Sequence, residues 1–191
     1  MRAGFLWMKL QAMTLLVLGR NEAAMKVFDQ MVARWPQDPY PLASRAHLLT
    51  QKQQTALALL DSERLLSLRP EHAPTWFNHG FMLEAAGRLD DALEAFQRAT
   101  TLDEQIDRAW YGQGMVLIRL KRYDEAMLAL KRNTELQPMS PYGWYQLARV
   151  HVDRHEPDEA VKIIKHLKGF EPKVAAQLER ETGLRIAPSA T

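Results

Sequence analysis

With 191 residues the chain can bury a substantial core, and 47% hydrophobic against 25% charged residues excludes wholesale disorder. A formal charge of +2 with no lysine–arginine block argues against a nucleic-acid interface. The absence of cysteine excludes disulfides, thiolate catalysis, cysteine-ligated zinc and a lipid-modified N-terminal cysteine.

Met1 to Gly19 is apolar enough to suggest a signal peptide, but Lys9 and Gln11 interrupt the run and no small-x-small site follows Leu18. The stretch is also too short and too polar to span a bilayer, so it is expected to be a first helix. From there the chain repeats at a stride of 34 residues. One alanine recurs throughout, at Ala24, Ala58, Ala92, Ala126 and Ala160. A second small residue keeps step at Ala12, Ala46, Gly80, Gly114 and Ala148. Four residues before each of these stands a bulky apolar one: Met8, Leu42, Trp76, Trp110 and Trp144. A proline closes the units at Pro36, Pro70, Pro138 and Pro172, with Glu104 the one exception. The units are therefore 5–38, 39–72, 73–106, 107–140 and 141–174, without insertions.

In the first unit, Gly19 before Asn21-Glu22 ends one helix and starts another. Asp38-Pro39 opens the second unit as an N-cap followed by proline, and that unit carries Ser62 where an apolar residue is expected. In the third, Trp76, His79, Gly80 and Leu83 share one helical face, and Ala92, Phe96 and Ala99 share a face of the next helix. Small residues there let two helix axes approach while large ones fill the space beside them. Gly87 before Asp90-Asp91 separates the two helices. Ser140-Pro141 opens the fifth unit, Pro157 starts its second helix, and His151 replaces an apolar residue. The second and fifth units are expected to pack less well. Val174 to Glu181 can form one more helix that turns Val174 and Leu178 inward and is stopped by Gly183; this capping helix is placed at 174–182, before a frayed tail at 187–191.

Tryptophan, small residue, large apolar, alanine, aromatic, alanine and proline, in that order, resemble the tetratricopeptide repeat. Trp76, Gly80, Leu83, Ala92, Phe96 and Ala99 carry the resemblance in the third unit; Trp110, Gly114, Leu117, Ala126, Leu130 and Pro138 carry it in the fourth. It implies an all-α fold, a right-handed α-solenoid of five helix-turn-helix units plus the C-terminal cap, whose concave side is lined by the first helix of each unit. The concave positions the resemblance implies include Tyr40, His47, Phe77, Asn78, Phe81, Arg108, Tyr111, Met115, Tyr142, Tyr145 and Arg149. Aromatic residues with arginine and no acidic group have the composition of interface hot spots. Such a surface suits an extended or helical segment of a partner protein carrying apolar anchors plus a carboxylate or acidic side chain. Some relatives grip the terminal carboxylate of heat-shock chaperones with lysines, asparagines and an arginine; those positions hold Ala43, His47, Asn78, Arg108 and Gly112 here, so that clamp is not expected.

The chain offers little for catalysis. Gly112-Gln113-Gly114 lies inside a helix and lacks the rest of a phosphate-binding fingerprint. His151 and His155 have a metal-like spacing, but His151 occupies a core position. Asp90, Asp91, Glu94, Asp124 and Glu125 sit at helix starts, where they complement the dipole. The expectation is a protein-binding adaptor or scaffold without cofactor, metal or enzymatic activity, cytoplasmic or else periplasmic. The alternatives are a structural subunit that self-associates through Phe5, Leu6, Trp7 and Met8, or a targeting module of a larger enzyme.

Overall fold

The structure is a computed structural model that describes residues 2–184; the tail at 187–191 lies outside the described residues. Those residues form eleven α-helices and no strand. In chain order they are α1 (Arg2–Val17), α2 (Asn21–Arg34), α3 (Pro39–Gln51), α4 (Thr55–Leu68), α5 (Ala73–Ala85) and α6 (Leu89–Leu102). There follow α7 (Asp107–Arg119), α8 (Tyr123–Leu136), α9 (Pro141–Asp153), α10 (Pro157–Lys168) and α11 (Pro172–Thr182).

The turn inside each unit is set by one backbone device used five times. Gly19, Gln53, Gly87, Lys121 and His155, again 34 apart, have φ between 59° and 76°. Each such residue donates its N–H three residues back, as Lys121 does to the Ile118 carbonyl at 3.0 Å. The following residue donates five back, as Arg122 does to Leu117 at 2.9 Å. This pair of bonds caps the carbonyl end of a helix and requires a left-handed residue. Glycine takes that conformation freely, whereas Gln53, Lys121 and His155 hold it at about 1 kcal/mol each.

Helix starts are less uniform. The Asp38 carboxylate accepts the Tyr40 N–H at 2.9 Å, as an N-cap should. Ser140 makes no such side-chain bond, and α9 begins on the fixed φ of Pro141. Between units the tryptophans close the seam. Trp76, Trp110 and Trp144 each donate their indole N–H to the carbonyl six residues back: Pro70 at 2.7 Å, Glu104 at 3.0 Å and Pro138 at 2.9 Å. The exception at Glu104 is harmless because only its main chain is used.

The chain divides into two compact units, Met1–Arg88 and Leu89–Thr191. In the first, α1 to α5 pack successively each on the next. Ala12 and Ala24 are fully buried between α1 and α2, which brings Met8, Phe28 and Met31 together, with Leu48 of α3 beside them. Burying one such side chain contributes about 1.5–3 kcal/mol. Arg45 of α3 ties three helices: its Nε and Nη2 donate to both carboxylate oxygens of Asp61 at 2.7 and 2.6 Å, and Nη1 donates to Asp29 at 3.0 Å. Ser62 is buried at 1% exposure and hydrogen-bonded to Nδ1 of buried His79 at 3.0 Å. The unexpected polar residue of the second unit thus meets a polar partner on α5.

In the second compact unit, α6 to α11 pack in the same successive way. Leu130, Leu147, Val150, Ile164, Leu167 and Leu178 form its C-terminal core. Phe96 is buried with its ring end over Gly112. His151 is half-buried and hydrogen-bonded through Nδ1 to Glu156 at 2.8 Å, while Arg154 bridges Glu156 and Asp124. The last helix begins at Pro172, two residues ahead of the expected Val174. It buries Ala175 and Leu178, and Gly183 ends it at φ 72°.

Candidate partner-binding surfaces

In the first compact unit, α3, α4 and α5 enclose a cleft of about 400 Å3. Tyr40, Ala43 and His47 share one face of α3 and form one wall; Asn78, Phe81 and Met82 of α5 form the opposite one. Ser62 and Leu65 of α4 contribute to the lining between them. The connection from α4 to α5 adds Arg69 and His72 to the lining, both of them exposed. Four residues expected from the sequence therefore converge here: Tyr40, His47, Asn78 and Phe81. Phe77 is half-buried on α5 and is not among the lining residues.

The walls differ in rigidity. Tyr40 is pinned: Phe5 and Phe28 each meet its ring edge-to-face at 6.2 Å, and the Lys9 ammonium lies 4.3 Å from its centre. Its position is therefore fixed by the core of α1 and α2. Phe81 stands 52% exposed. Gln51 donates to His47 Nε2 at 3.0 Å, and His72 Nδ1 lies 2.9 Å from the Thr75 hydroxyl. Among the described residues no aspartate or glutamate lines the cleft, and Arg69 supplies a positive charge. Its lining combines aromatic and aliphatic groups with hydroxyl, amide and imidazole groups and one guanidinium.

The second compact unit holds the remaining candidates. Arg108 is exposed on α7, and Tyr142 is exposed on α9. Met115 is half-buried, and Tyr111 packs against the C-terminal core. Tyr145 and Arg149 come together, with an Arg149 Nη1 to Tyr145 hydroxyl distance of 3.2 Å, but they are already engaged. The Tyr145 hydroxyl donates to Glu181 Oε2 at 2.5 Å, Arg149 reaches the same oxygen at 3.1 Å, and Gln177 donates to the other at 2.7 Å. These donors hold the Glu181 carboxyl below the usual carboxylate range, the Tyr145 hydroxyl foremost. The same bond, helped by burial, pushes the Tyr145 phenol up.

Sequence reasoning missed Arg69 and His72 because it took only first-helix positions. A signal was present: the residue before each closing proline position is Trp35, Arg69, Asp103, Gln137 or Glu171, so Arg69 is the single cation in that series. Glu181 had no comparable signal, because its role depends on how α11 docks. Among the described residues no group of three or more His, Asp or Glu is placed to hold a metal ion, and no helix is long and apolar enough to cross a membrane.

The tetratricopeptide repeat profile matches residues 44–106 and 82–141. The chain belongs to the tetratricopeptide repeat family, whose fold is known for protein–protein interaction scaffolds. No curated protein sequence matches it. Among solved structures, MamA from Desulfovibrio magneticus RS-1 is similar at 19% identity, covering 92% of this chain and 94% of that one with a TM-score of 0.79. YrrB, described as a TPR protein with an unusual peptide-binding site, is similar at 19% identity, 88% of each chain and a TM-score of 0.75. TTC0263, a thermophilic TPR protein of Thermus thermophilus, gives 22% identity, 91% and 94% coverage and a TM-score of 0.64. At such identities the likeness concerns the fold.

Proposed function

We propose that the chain is a protein-binding adaptor that takes a segment of a partner protein in the cleft between α3, α4 and α5. The observation that carries this reading is the lining of that cleft: aromatic Tyr40 and Phe81, the hydrogen-bonding groups of His47 and Asn78, exposed Arg69, and no carboxylate among the described residues. An apolar recess with a few convergent polar groups is the usual form of a recognition site. Arginine and aromatic residues are the side chains on which binding energy concentrates. The preferred ligand is a segment with an apolar anchor and an acidic group for Arg69. In the second compact unit, Arg108, Tyr111, Met115 and Tyr142 supply further contact surface, and Tyr145 and Arg149 do so only in exchange for Glu181. Ordering a flexible segment offsets much of the contact energy, so an isolated peptide should bind at micromolar strength, about −8 kcal/mol.

Peptides selected from a random displayed library on the full chain provide the test, with affinities measured by fluorescence anisotropy. Phe81→Ala and Arg69→Ala should each weaken the selected peptides by at least about tenfold while helicity is kept. Selected peptides that bind parent and both variants alike would place the site elsewhere.

A further inference from the structure

Helix α1 is apolar on two opposite faces. One face packs inward: Met8 and Ala12 are buried, and Phe5, Leu15 and Leu16 lean on the same core. The other face carries Leu6, Leu10, Met13 and Val17, spaced four, three and four residues apart, with Trp7 and Leu18 beside them. All six are exposed, Trp7 at 65% and Val17 at 87%. A helix that is apolar all round belongs inside a structure, and a four–three spacing is the pattern that interlocks with another helix. The last described helix is built differently: α11 leaves Gln177 and Arg180 exposed.

We propose that this face of α1 is a homotypic interface, and that its occupant is the same face of a second copy of this chain. Three observations select that partner. The first is charge. An isologous contact sets one patch against an identical copy of itself, so a charged face repels itself and a neutral one does not. Lys9 is the single charge from residue 3 to residue 18, and its ammonium is turned onto the Tyr40 ring, away from the stripe.

The second is satisfaction of polar groups. Thr14 lies within the exposed face, and its hydroxyl donates to the Leu10 carbonyl at 3.0 Å. It can therefore be covered without stranding a donor. The third is area. The six exposures together amount to on the order of 700 Å2 per copy, so a symmetric pair can hide up to roughly 1,400 Å2, which reaches the range of specific stable interfaces. A membrane surface fits less well, because a helix lying on lipid carries a basic polar face opposite its apolar one, and the face opposite this stripe is the protein core.

Sedimentation velocity of the full chain, from about 1 to 200 μM, is the test. The expected result is a species of twice 22.0 kDa that grows with concentration. Leu10→Glu and Val17→Glu should each raise the dissociation constant at least about tenfold with circular dichroism unchanged. Val17 is so exposed that its replacement leaves the fold of the protomer alone. Because the chain is cysteine-free, Met13→Cys introduces a single thiol that should form a covalent dimer on mild oxidation, whereas Gln97→Cys should not. The proposal is overturned by a single 22.0 kDa species at the highest concentration. It is equally overturned by a dimer indifferent to both glutamates, or by a monomer that binds anionic phosphatidylserine vesicles in a Val17→Glu-sensitive way.

Discussion

The Tyr145 hydroxyl of α9 donates a 2.5 Å hydrogen bond to Glu181 of α11, thirty-six residues away in the chain. The carboxylate that Arg149 was expected to receive from a partner is thus supplied by the protein itself, at 3.1 Å. An incoming acidic group at this position competes with Glu181, and the last turn of α11 is the part that would yield.

This pairing sets a pH dependence for the docking of α11. Glu181 titrates below the ordinary carboxylate value of 4.5, so its contribution is complete above that pH and disappears as pH falls through the lowered value. Tyr145 titrates above the ordinary value of 10.0, so its contribution is complete below that pH and is lost as pH rises through the raised one. Amide exchange protection of α11 should therefore be greatest between these limits. Glu181→Gln should flatten the acidic limb, and Tyr145→Phe the alkaline one; protection that stays unaltered in both variants would show the contact to be idle.

Arg45 offers a second test, on stability. Asp61 is only 6% exposed, and its two oxygens are held by the one guanidinium. Arg45→Met leaves a buried carboxylate without its partner and should lower the free energy of unfolding by about 3 kcal/mol in urea titrations. The double variant Arg45→Met/Asp61→Leu should recover most of that loss. Asp29→Asn, at the exposed side of the same arginine, should change stability by less than about 1 kcal/mol.

The left-handed turn residues predict a gain. Lys121→Gly and Gln53→Gly relieve a Cβ clash at φ near 60° and should leave stability unchanged or raise it by up to about 1 kcal/mol, since glycine also loosens the unfolded chain. Gly87→Ala, at φ 76°, should lose about 1–2 kcal/mol. Calorimetric melting temperatures would reveal the ordering, and a stabilised Gly87→Ala would contradict it.

Gly112 predicts a loss of another origin. A Cβ built there would lie 2.8 Å from the tip of the Phe96 ring, which is buried and has nowhere to go. Gly112→Ala should destabilise by about 1–3 kcal/mol despite the better helix propensity of alanine. Gly112→Ala combined with Phe96→Leu should restore part of the difference in the same denaturation experiment.

The helices were legible because their signals are local. Pro39, Gly87 and Pro141 act on the backbone within a turn of where they stand, and the buried alanines recur at a fixed stride. The turns at Gln53 and Lys121 were less legible, since neither residue favours a left-handed backbone; register alone points to them. Ser62 reads as a defect until His79, seventeen residues on, is placed against it. The cleft was half visible: Tyr40, His47, Asn78 and Phe81 lie on helix faces that the helical period assigns, whereas Arg69 and His72 come from a connection where only the 34-residue register, and no helical face, points to a residue.

The indole bonds at Trp76, Trp110 and Trp144 have a further consequence for mutational drift. Each joins a side chain that has few substitutes to a main-chain oxygen that every amino acid possesses. Positions 70, 104 and 138 can therefore change identity without breaking the link, provided the backbone path is kept, as glutamate in place of proline already demonstrates. Their tryptophan counterparts have no such latitude, so a variant library of this chain should tolerate replacement at one end of each bond and reject it at the other.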